Sequence, residues 1–319
     1  MAARSTELRK GSGLRAHGAR RVVTGLAAAA LMVAALTGGL AQTRGAQGGT
    51  AAAQSPARRI VSLVPALTEM LFAIGAGPQV VGVSSFDEFP DQVKRLPRVG
   101  ALLDPDTERI LSLRPDLVIV YGSQTEQEQQ FQRAGIRTFS YRHGGIAVIL
   151  QTMRDLGVAT GQQTGAATVT AGLQARLDGI RARVAGRTRP KVLLVFERQP
   201  KTLREIYASG GTGFLNEILE IAGGRNVFET ITRESVQPST ETLLAAAPDV
   251  VIEVRARGML EPGDATAEQR TWATLSSLPA VRGNRVHILN GQYLVVPGPR
   301  LADATETLAR TLHPDAFRQ

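Results

Sequence analysis

Hydrophobic and polar positions follow the same order twice along this chain. Residues 107–119 return as residues 240–252, with matching Thr, Glu, Leu, Pro, Asp and Ile, and the displacement is 133 residues throughout. Each copy has a polar cap (Thr107, or Ser239 and Thr240), a glutamate, an apolar run, a proline and a short β-branched segment. This pattern predicts a helix, a tight turn and a strand buried on both faces. A period this long indicates two similar lobes rather than a solenoid.

The segments around the repeat alternate between strand and helix patterns. Short apolar runs near residues 59–64, 80–83, 117–120 and 137–141 alternate with helical patterns, which predicts a parallel sheet covered on both faces. Residues 146–156 and 162–185 have only helical periodicity, and the second helix is long enough to act as a rigid strut. A second lobe follows, in which residues 215–223 echo residues 67–75.

These patterns predict an α/β fold of two similar parallel-sheet lobes joined by a long interlobe helix, with a ligand cleft between the lobes. The predicted boundaries are residues 58–145 for the N-terminal lobe, 146–187 for the helical connector and 188–319 for the C-terminal lobe.

The N-terminal segment differs from the rest of the chain. Residues 1–21 are basic and residues 22–36 form one apolar run, followed by small residues up to Ala41. This layout is typical of a cleaved secretory signal peptide spanning residues 1–41. An uncleaved membrane anchor is the alternative, and Arg20-Arg21 leaves twin-arginine export open. Residues 42–57 have no apolar periodicity and are interpreted as a flexible spacer.

Composition narrows the function. The formal net charge is +9, but residues 1–41 carry six Lys or Arg and one acid, so the remainder is near +4 and mixed in sign. This distribution does not indicate a nucleic-acid partner. The chain contains no cysteine, which excludes disulfides, thiol catalysis, thiolate metal sites and a lipid-modified cysteine.

Catalytic motifs are missing from the sequence. The glycine run at residues 209–213 lacks the Gly-Lys-Ser/Thr ending of a phosphate loop, and neither a Gly-x-Ser-x-Gly elbow nor a His-Glu-x-x-His motif occurs. We therefore expect no enzyme activity and no cofactor, with an exported metal-dependent hydrolase as the alternative. His143 follows a strand end and is a candidate ligand contact, whereas His287 and His313 are expected to be structural.

Glu108 and Glu241 occupy the same place in the two copies of the repeat. An acid at the start of a helix complements the helix dipole, and this alone accounts for both residues. The other interpretation is that matching acids on two duplicated lobes mark the surface for a partner that is itself two-fold. The residues alone leave both interpretations open.

The chain resembles the periplasmic substrate-binding proteins of ABC importers, in the class with a helical connector that serves cobalamin, iron siderophores and haem. The resemblance covers about residues 58–314 and is closest to the cobalamin-binding members. The segments that carry it are residues 59–63, 65–69, 81–85, 108–119, 223–228 and 272–281.

This resemblance implies an exported, monomeric protein of the periplasm that captures cobalamin, or alternatively a ferric siderophore or haem, between its lobes. It implies that Glu108 and Glu241 dock onto a dimeric permease; a sensor or scaffold module that works without a permease is the alternative. The positions that match the family's ligand cleft are Pro65, Phe86, Tyr121, Tyr207 and Arg300.

The sequence also departs from the pattern of the cobalamin-binding members. Where they often carry tryptophans in the cleft, this chain has Leu102, Tyr121 and Ser235, and Trp272 belongs to a segment that looks structural. For a haem or siderophore ligand, Tyr121, Tyr207 and His143 are the candidate contacts on the iron side.

Overall fold

The computed structural model describes residues 55–255 and 264–318. The predicted signal peptide and residues 42–54 of the predicted spacer lie outside these residues. The described chain is already anchored at its start, since Ala57 is buried and its N–H donates to the Ala159 carbonyl at 2.8 Å. None of the helices within the described ranges is both long and apolar enough to cross a membrane.

The N-terminal lobe is built on a four-stranded parallel sheet. Its elements are β1 (Ile60–Ser62), α1 (Pro65–Ala73), β2 (Val80–Val83), α2 (Thr107–Ser112), β3 (Leu117–Tyr121), α3 (Thr125–Arg133) and β4 (Arg137–Tyr141). The strand order is β2-β1-β3-β4, and every pairing is parallel. The predicted alternation of strands and helices in this lobe is therefore confirmed.

The connector consists of two helices, α4 (Ile146–Thr160) and α5 (Gln163–Val184). Helix α4 continues beyond the predicted end at Leu156 and stops at Gly161, whose φ of 74° is the left-handed conformation that closes many helices. Helix α5 has 22 residues and is therefore about 33 Å long. One hydrophobic cluster runs from α1 through the buried side of α5 into the C-terminal lobe, so the lobes share a continuous core.

The C-terminal lobe has a six-stranded mixed sheet. Its elements are β5 (Lys191–Glu197), β6 (Tyr207–Ser209), α6 (Phe214–Ile221), β7 (Arg225–Asn226), β8 (Ser235–Val236), α7 (Thr240–Ala246), β9 (Val250–Arg255), α8 (Asp264–Ala273), α9 (Pro279–Arg282), β10 (Val286–Asn290) and α10 (Leu301–Leu312). The strand order is β10-β9-β5-β6-β8, with β7 on β5.

This sheet is parallel at β10, β9, β5 and β7, as the sequence predicts, but β6 and β8 run antiparallel. The antiparallel strands come from the excursion after β5 and from the chain after β7. A turn in which Gln199 donates to the Arg204 carbonyl at 3.1 Å reverses the chain, so that Tyr207 pairs with Glu197. The excursion thus widens the second sheet.

The sequence repeat is a repeated structural device. Helix α2 ends before Arg114 and helix α7 ends before Pro248, and the residues that precede the two prolines are left-handed, with φ of 48° at Arg114 and 45° at Ala247. The aspartate after each proline then caps the neighbouring strand. Asp116 accepts from the Arg58 and Arg59 N–H groups at 2.8 and 3.0 Å, and Asp249 accepts from the Lys191 N–H at 2.8 Å. Each Pro-Asp pair therefore sets the register of two adjacent strands.

The helix caps differ between the copies. Ser239 caps α7 as predicted, since its hydroxyl accepts from the Thr242 N–H at 3.2 Å. The cap of α2 is Asp106, whose carboxylate accepts from the Arg109 N–H at 2.9 Å, and not Thr107 as the sequence suggested. Asp106 lies one residue earlier and also carries a charge that favours a helix N-terminus.

Candidate ligand cleft

The largest hollow that faces the strand ends lies between the lobes and has a volume of about 590 Å³. From the N-terminal lobe it is lined by residues that follow or end parallel strands, which is where open α/β sheets bind ligands. The opposite wall is the loop after β10. The lining residues are Val64, Pro65, Ala66, Phe86, Glu88, Leu102, Tyr121, Tyr141, His143, Gln292, Val295, Val296 and Pro297.

A smaller hollow of about 210 Å³ continues the cleft into the C-terminal lobe. It shares His143 and Val295 with the larger one, so these two side chains stand between two compartments of one cleft. The remaining residues that line it are Phe196, Thr212, Gly213, Phe214, Leu215, Glu234 and Ser235.

His143 contacts both lobes. Its Nδ1 lies 3.5 Å from the Tyr141 hydroxyl, and its Nε2 lies 3.6 Å from the Glu234 carboxylate of the opposite lobe. Its ring packs edge-on against Phe214, with 5.5 Å between the ring centroids. The sequence marked His143 as a candidate because it follows β4, and the structure places it in the cleft.

Two tyrosines form the aromatic wall of the N-terminal lobe. The rings of Tyr121 and Tyr141 meet edge-on with 5.6 Å between their centroids. Burial raises the pKa of the Tyr121 phenol, and the nearby Glu234 charge raises it further. Burial also raises the pKa of Tyr141 strongly, with smaller contributions from Tyr121 and Glu234. Both phenols therefore stay protonated at neutral pH and act as neutral aromatic surfaces.

The charge of the cleft is acidic. Among the described residues that line the two hollows, Glu88 and Glu234 are the charged side chains, and no lysine or arginine is present. A ligand with carboxylates on its edge finds no basic partner in this lining.

The sequence proposed five cleft residues, and three of them line the cleft: Pro65, Phe86 and Tyr121. Tyr207 lies behind this wall on β6, where its ring is 6.5 Å from that of Phe196, and it borders a separate hollow next to Phe228. Arg300 is held by Glu69 in a two-point ion pair, at 2.8 Å for Nε and 2.6 Å for Nη2, so its guanidinium is already engaged.

The sequence analysis missed several cleft residues. Tyr141 ends a predicted strand, so the strand-end rule that selected His143 could have selected it as well. Phe214 and Glu234 approach the cleft from α6 and from the chain before β8, and no local pattern marks them. Val295 and Val296 follow β10 in a segment that the sequence placed in a loop.

Glu108 and Glu241 are exposed in the first turns of α2 and α7. Within the described part of the chain, neither carboxylate forms an ion pair, so both are available to a partner. The N-terminal ends of these helices lie at the sheet edge where the parallel strands end, because each helix runs antiparallel to the strand that follows its tight turn. Both acids therefore lie toward the cleft side of their lobes.

Other chemical candidates are structural. Trp272 is fully buried and its indole N–H donates to Glu253 at 2.7 Å, while Arg198 bridges Glu253 and Glu268 at 2.9 and 2.5 Å. His287 lies within β10 and His313 packs against the Gly223 carbonyl. In residues 55–255 and 264–318, no three His, Asp or Glu side chains converge as metal ligands would.

A further hollow of about 510 Å³ lies along the connector and does not face the strand ends. Its charged groups are already partnered in part: Arg181 pairs with Asp178 at 2.6 Å, and Arg189 donates to the Gly224 carbonyl at 2.8 Å. The cleft between the lobes is therefore the better candidate for the ligand site.

Residues 60–293 match the family described as periplasmic binding protein. The chain is 28% identical over 271 residues to the ABC transporter substrate-binding lipoprotein YvrC of Bacillus subtilis, covering 82% of each chain. The crystal structure of the periplasmic vitamin B12 binding protein BtuF of Vibrio cholerae is similar, with a TM-score of 0.68, 25% identity, and coverage of 83% of this chain and 99% of that one.

A periplasmic haem binding protein from Pseudomonas aeruginosa is similar to the same degree, with a TM-score of 0.69 and 27% identity; the match covers 81% of this chain and 93% of that one. Because the family model spans most of the ordered body, the chain belongs to the periplasmic binding protein family. The membership confirms the predicted two-lobed α/β class and a substrate-binding role in ABC transport rather than an enzyme activity.

Proposed function

We propose that the protein captures cobalamin between its lobes and delivers it to a dimeric ABC permease in the inner membrane. The observation that carries this proposal is the combination of aromatic surface and absent basic charge in the described cleft lining. Cyanocobalamin has no net charge and a rim of amides, whereas haem has two propionates that require basic or strongly polar partners when they are buried. Relatives that bind vitamin B12 support this choice, such as the vitamin B12-binding protein of Salmonella typhimurium at 28% identity.

The cleft suits a large flat ligand. Tyr121, Tyr141 and Phe86 provide aromatic surfaces on one side, and Val295 to Pro297 provide an apolar surface on the other. Apolar pockets with few polar groups bind their ligands chiefly by burying them, and the polar groups set the orientation. Gln292 and His143 are the polar groups of the larger hollow that can donate hydrogen bonds to peripheral amides.

Haem or a ferric siderophore is the alternative ligand, and one feature favours it. His143 and two tyrosines line the same cleft, and imidazole and phenolate are iron ligands. The raised pKa values of Tyr121 and Tyr141 count against phenolate coordination unless the metal itself displaces the proton.

Calorimetric titration of the predicted mature chain, from Gln42 onward, distinguishes these ligands. We expect stoichiometric binding of cyanocobalamin at micromolar affinity or tighter, and much weaker binding of haem and of a ferric siderophore. Binding of haem alone would overturn the cobalamin proposal and leave the transport role in place.

We further propose that Glu108 and Glu241 meet basic side chains of the permease, and that the protein works as a monomer in the periplasm. The absence of a cysteine rules out the lipid anchor that its name gives to YvrC, so the chain depends on an outer membrane for retention. We expect Glu108→Gln combined with Glu241→Gln to abolish uptake while ligand affinity is unchanged. Unchanged uptake would favour a sensor that works without a permease.

A further inference from the structure

Two leucines repeat an unusual exposure. Leu111 is 42% exposed and Leu244 is 39% exposed, and the two positions are 133 residues apart, as in the rest of the repeat. The residue before each of them, Ile110 or Leu243, is fully buried and anchors its helix to the lobe. Burial and exposure thus alternate identically in two helices that pack independently.

Each leucine lies three residues after an exposed acid, Glu108 or Glu241. Residues three apart on a helix are neighbours on one face, so each helix presents a carboxylate beside an apolar side chain. Other exposed apolar residues do not repeat in this way. Val158 is 64% exposed, and the position 133 residues later is Gly291.

We infer that Leu111 and Leu244 are the apolar anchors of a docking surface that binds a two-fold symmetric membrane permease. Each subunit of that permease would place a basic side chain against the acid and an apolar socket over the leucine. The inference rests on the proposed transport function and adds to it the contacts that hold the complex once charge has oriented it.

The occupant follows from charge and symmetry. Carboxylates without ion pairs in the described chain call for cations, and a feature that occurs once on each lobe calls for a partner with two equivalent sites. A second copy of this chain would bring acid against acid at these faces, which disfavours self-association. Both faces also lie toward the cleft, so a partner that covers them is placed to receive the ligand.

Salt separates the two kinds of contact. Attraction between exposed charges is screened when the ionic strength rises, whereas burial of a leucine is not. The acids are therefore expected to speed association at low salt, and the leucines are expected to slow dissociation at any salt.

The test measures binding of the labelled protein to right-side-out membrane vesicles of its own organism, at about 0.05 M and 0.5 M salt. We expect Leu111→Gln combined with Leu244→Gln to weaken binding roughly tenfold or more at both salt concentrations. Glu108→Gln combined with Glu241→Gln should weaken it mainly at low salt. Leu111→Met with Leu244→Met should bind like the wild type, and Val158→Gln is the control for an exposed apolar residue elsewhere.

Three results would contradict the inference in different ways. If the glutamine pair at the leucines binds like the wild type while the pair at the acids does not, the leucines are not anchors and the docking acids stand. If neither pair changes binding, the permease docks elsewhere and the docking part of the proposed function fails too. If Val158→Gln weakens binding as much as the leucine pair, the effect is not specific to the repeated face. Unchanged melting temperatures and cyanocobalamin titrations of the variants check that the fold is intact.

Discussion

Glu69 and Arg300 form a two-point ion pair across the boundary between the lobes. Glu69 is 3% exposed on α1, and Arg300 is the N-cap residue of α10, 231 residues later. The guanidinium also stacks on Phe89, with 4.1 Å from Cζ to the ring centroid. Arg300 thus ties α10 of the second lobe to the first helix of the first lobe.

The equivalent residue of the second lobe acts in the opposite direction. Glu217 occupies the place in α6 that Glu69 occupies in α1, and its carboxylate accepts from the Ile146 N–H at the start of α4 at 2.6 Å. Each lobe therefore sends a glutamate from its first helix to a helix start beyond the lobe. These two contacts and the shared core keep the cleft walls in a fixed relation.

Removing Glu69 should destabilise the fold. We expect Glu69→Ala to lower the free energy of unfolding by about 2–4 kcal/mol, because it leaves a largely buried guanidinium without its partner. Urea denaturation measures this loss. The double variant Glu69→Leu with Arg300→Met should be less destabilised than the sum of its single changes, since the two residues act as one unit. Additive effects would show that the ion pair does not couple the lobes.

Gly145 should not tolerate a side chain, because of Glu217. A Cβ on Gly145 would lie 2.2 Å from Glu217 Oε1, so the carboxylate must move away and release the Ile146 N–H. We expect Gly145→Ala to cost about 1–2 kcal/mol in urea denaturation, close to the cost of losing one helix cap. Gly172→Ala is the matched control, because nothing lies within 4 Å of its Cβ position on α5. That change should stabilise the protein by about 0.5–1 kcal/mol.

Asp87 should make stability fall as the pH rises from acid to neutral. The carboxyl is buried, and burial raises its pKa above the ordinary value of 3.8 although Ser84, Thr68 and Arg98 oppose the shift. Because the folded state holds this proton more tightly than the unfolded chain, the group stabilises at low pH and that contribution is lost as the pH passes the folded pKa.

Asp87→Asn removes this titration. We expect its free energy of unfolding, measured relative to the wild type, to improve between about pH 4 and pH 7. The raised pKa of Glu69 acts in the same sense and remains in both proteins, so the comparison isolates Asp87. A difference that stays constant or declines with pH would show that Asp87 is ionised in the folded state without cost.

The sequence predicted much of the fold because the governing patterns are local. The Pro-Asp turns, the buried strands and the long connector helix each follow from contiguous residues, and the repeat shows that they recur. Strands β6 and β8 were missed because they have 3 and 2 residues, too few for a periodic pattern. The engagement of Arg300 was missed because its partner lies 231 residues away, and no local signal reveals such a pair.

Tyr121 and Tyr207 provide a test of the cleft itself. Both were proposed as ligand contacts from the sequence, but Tyr121 lines the larger hollow and Tyr207 borders a different one. We expect Tyr121→Ala to weaken cyanocobalamin binding roughly tenfold, as the loss of an aromatic contact should, while Tyr121→Phe has little effect. Tyr207→Ala should change the affinity less than about twofold. Calorimetric titration measures both, and a larger loss for Tyr207→Ala would move the site toward β6.

The charge of the cleft should decide between ligands, and Glu234 is the residue to change. It is 47% exposed, lies 3.6 Å from His143 and contributes one of the two negative charges of the described lining. Glu234→Lys replaces an acid with a base at a position where the propionates of a bound haem could reach it. A charge-assisted contact to a carboxylate contributes about 1–3 kcal/mol when it is partly desolvated, so haem affinity should rise roughly five- to a hundredfold. Cyanocobalamin carries no net charge, so its affinity should change much less, and Glu234→Gln separates loss of the acid from gain of the base. If Glu234→Lys leaves haem binding unchanged while the wild type already binds haem tightly, charge in the cleft does not select the ligand, and the preference for an uncharged macrocycle loses its physical basis.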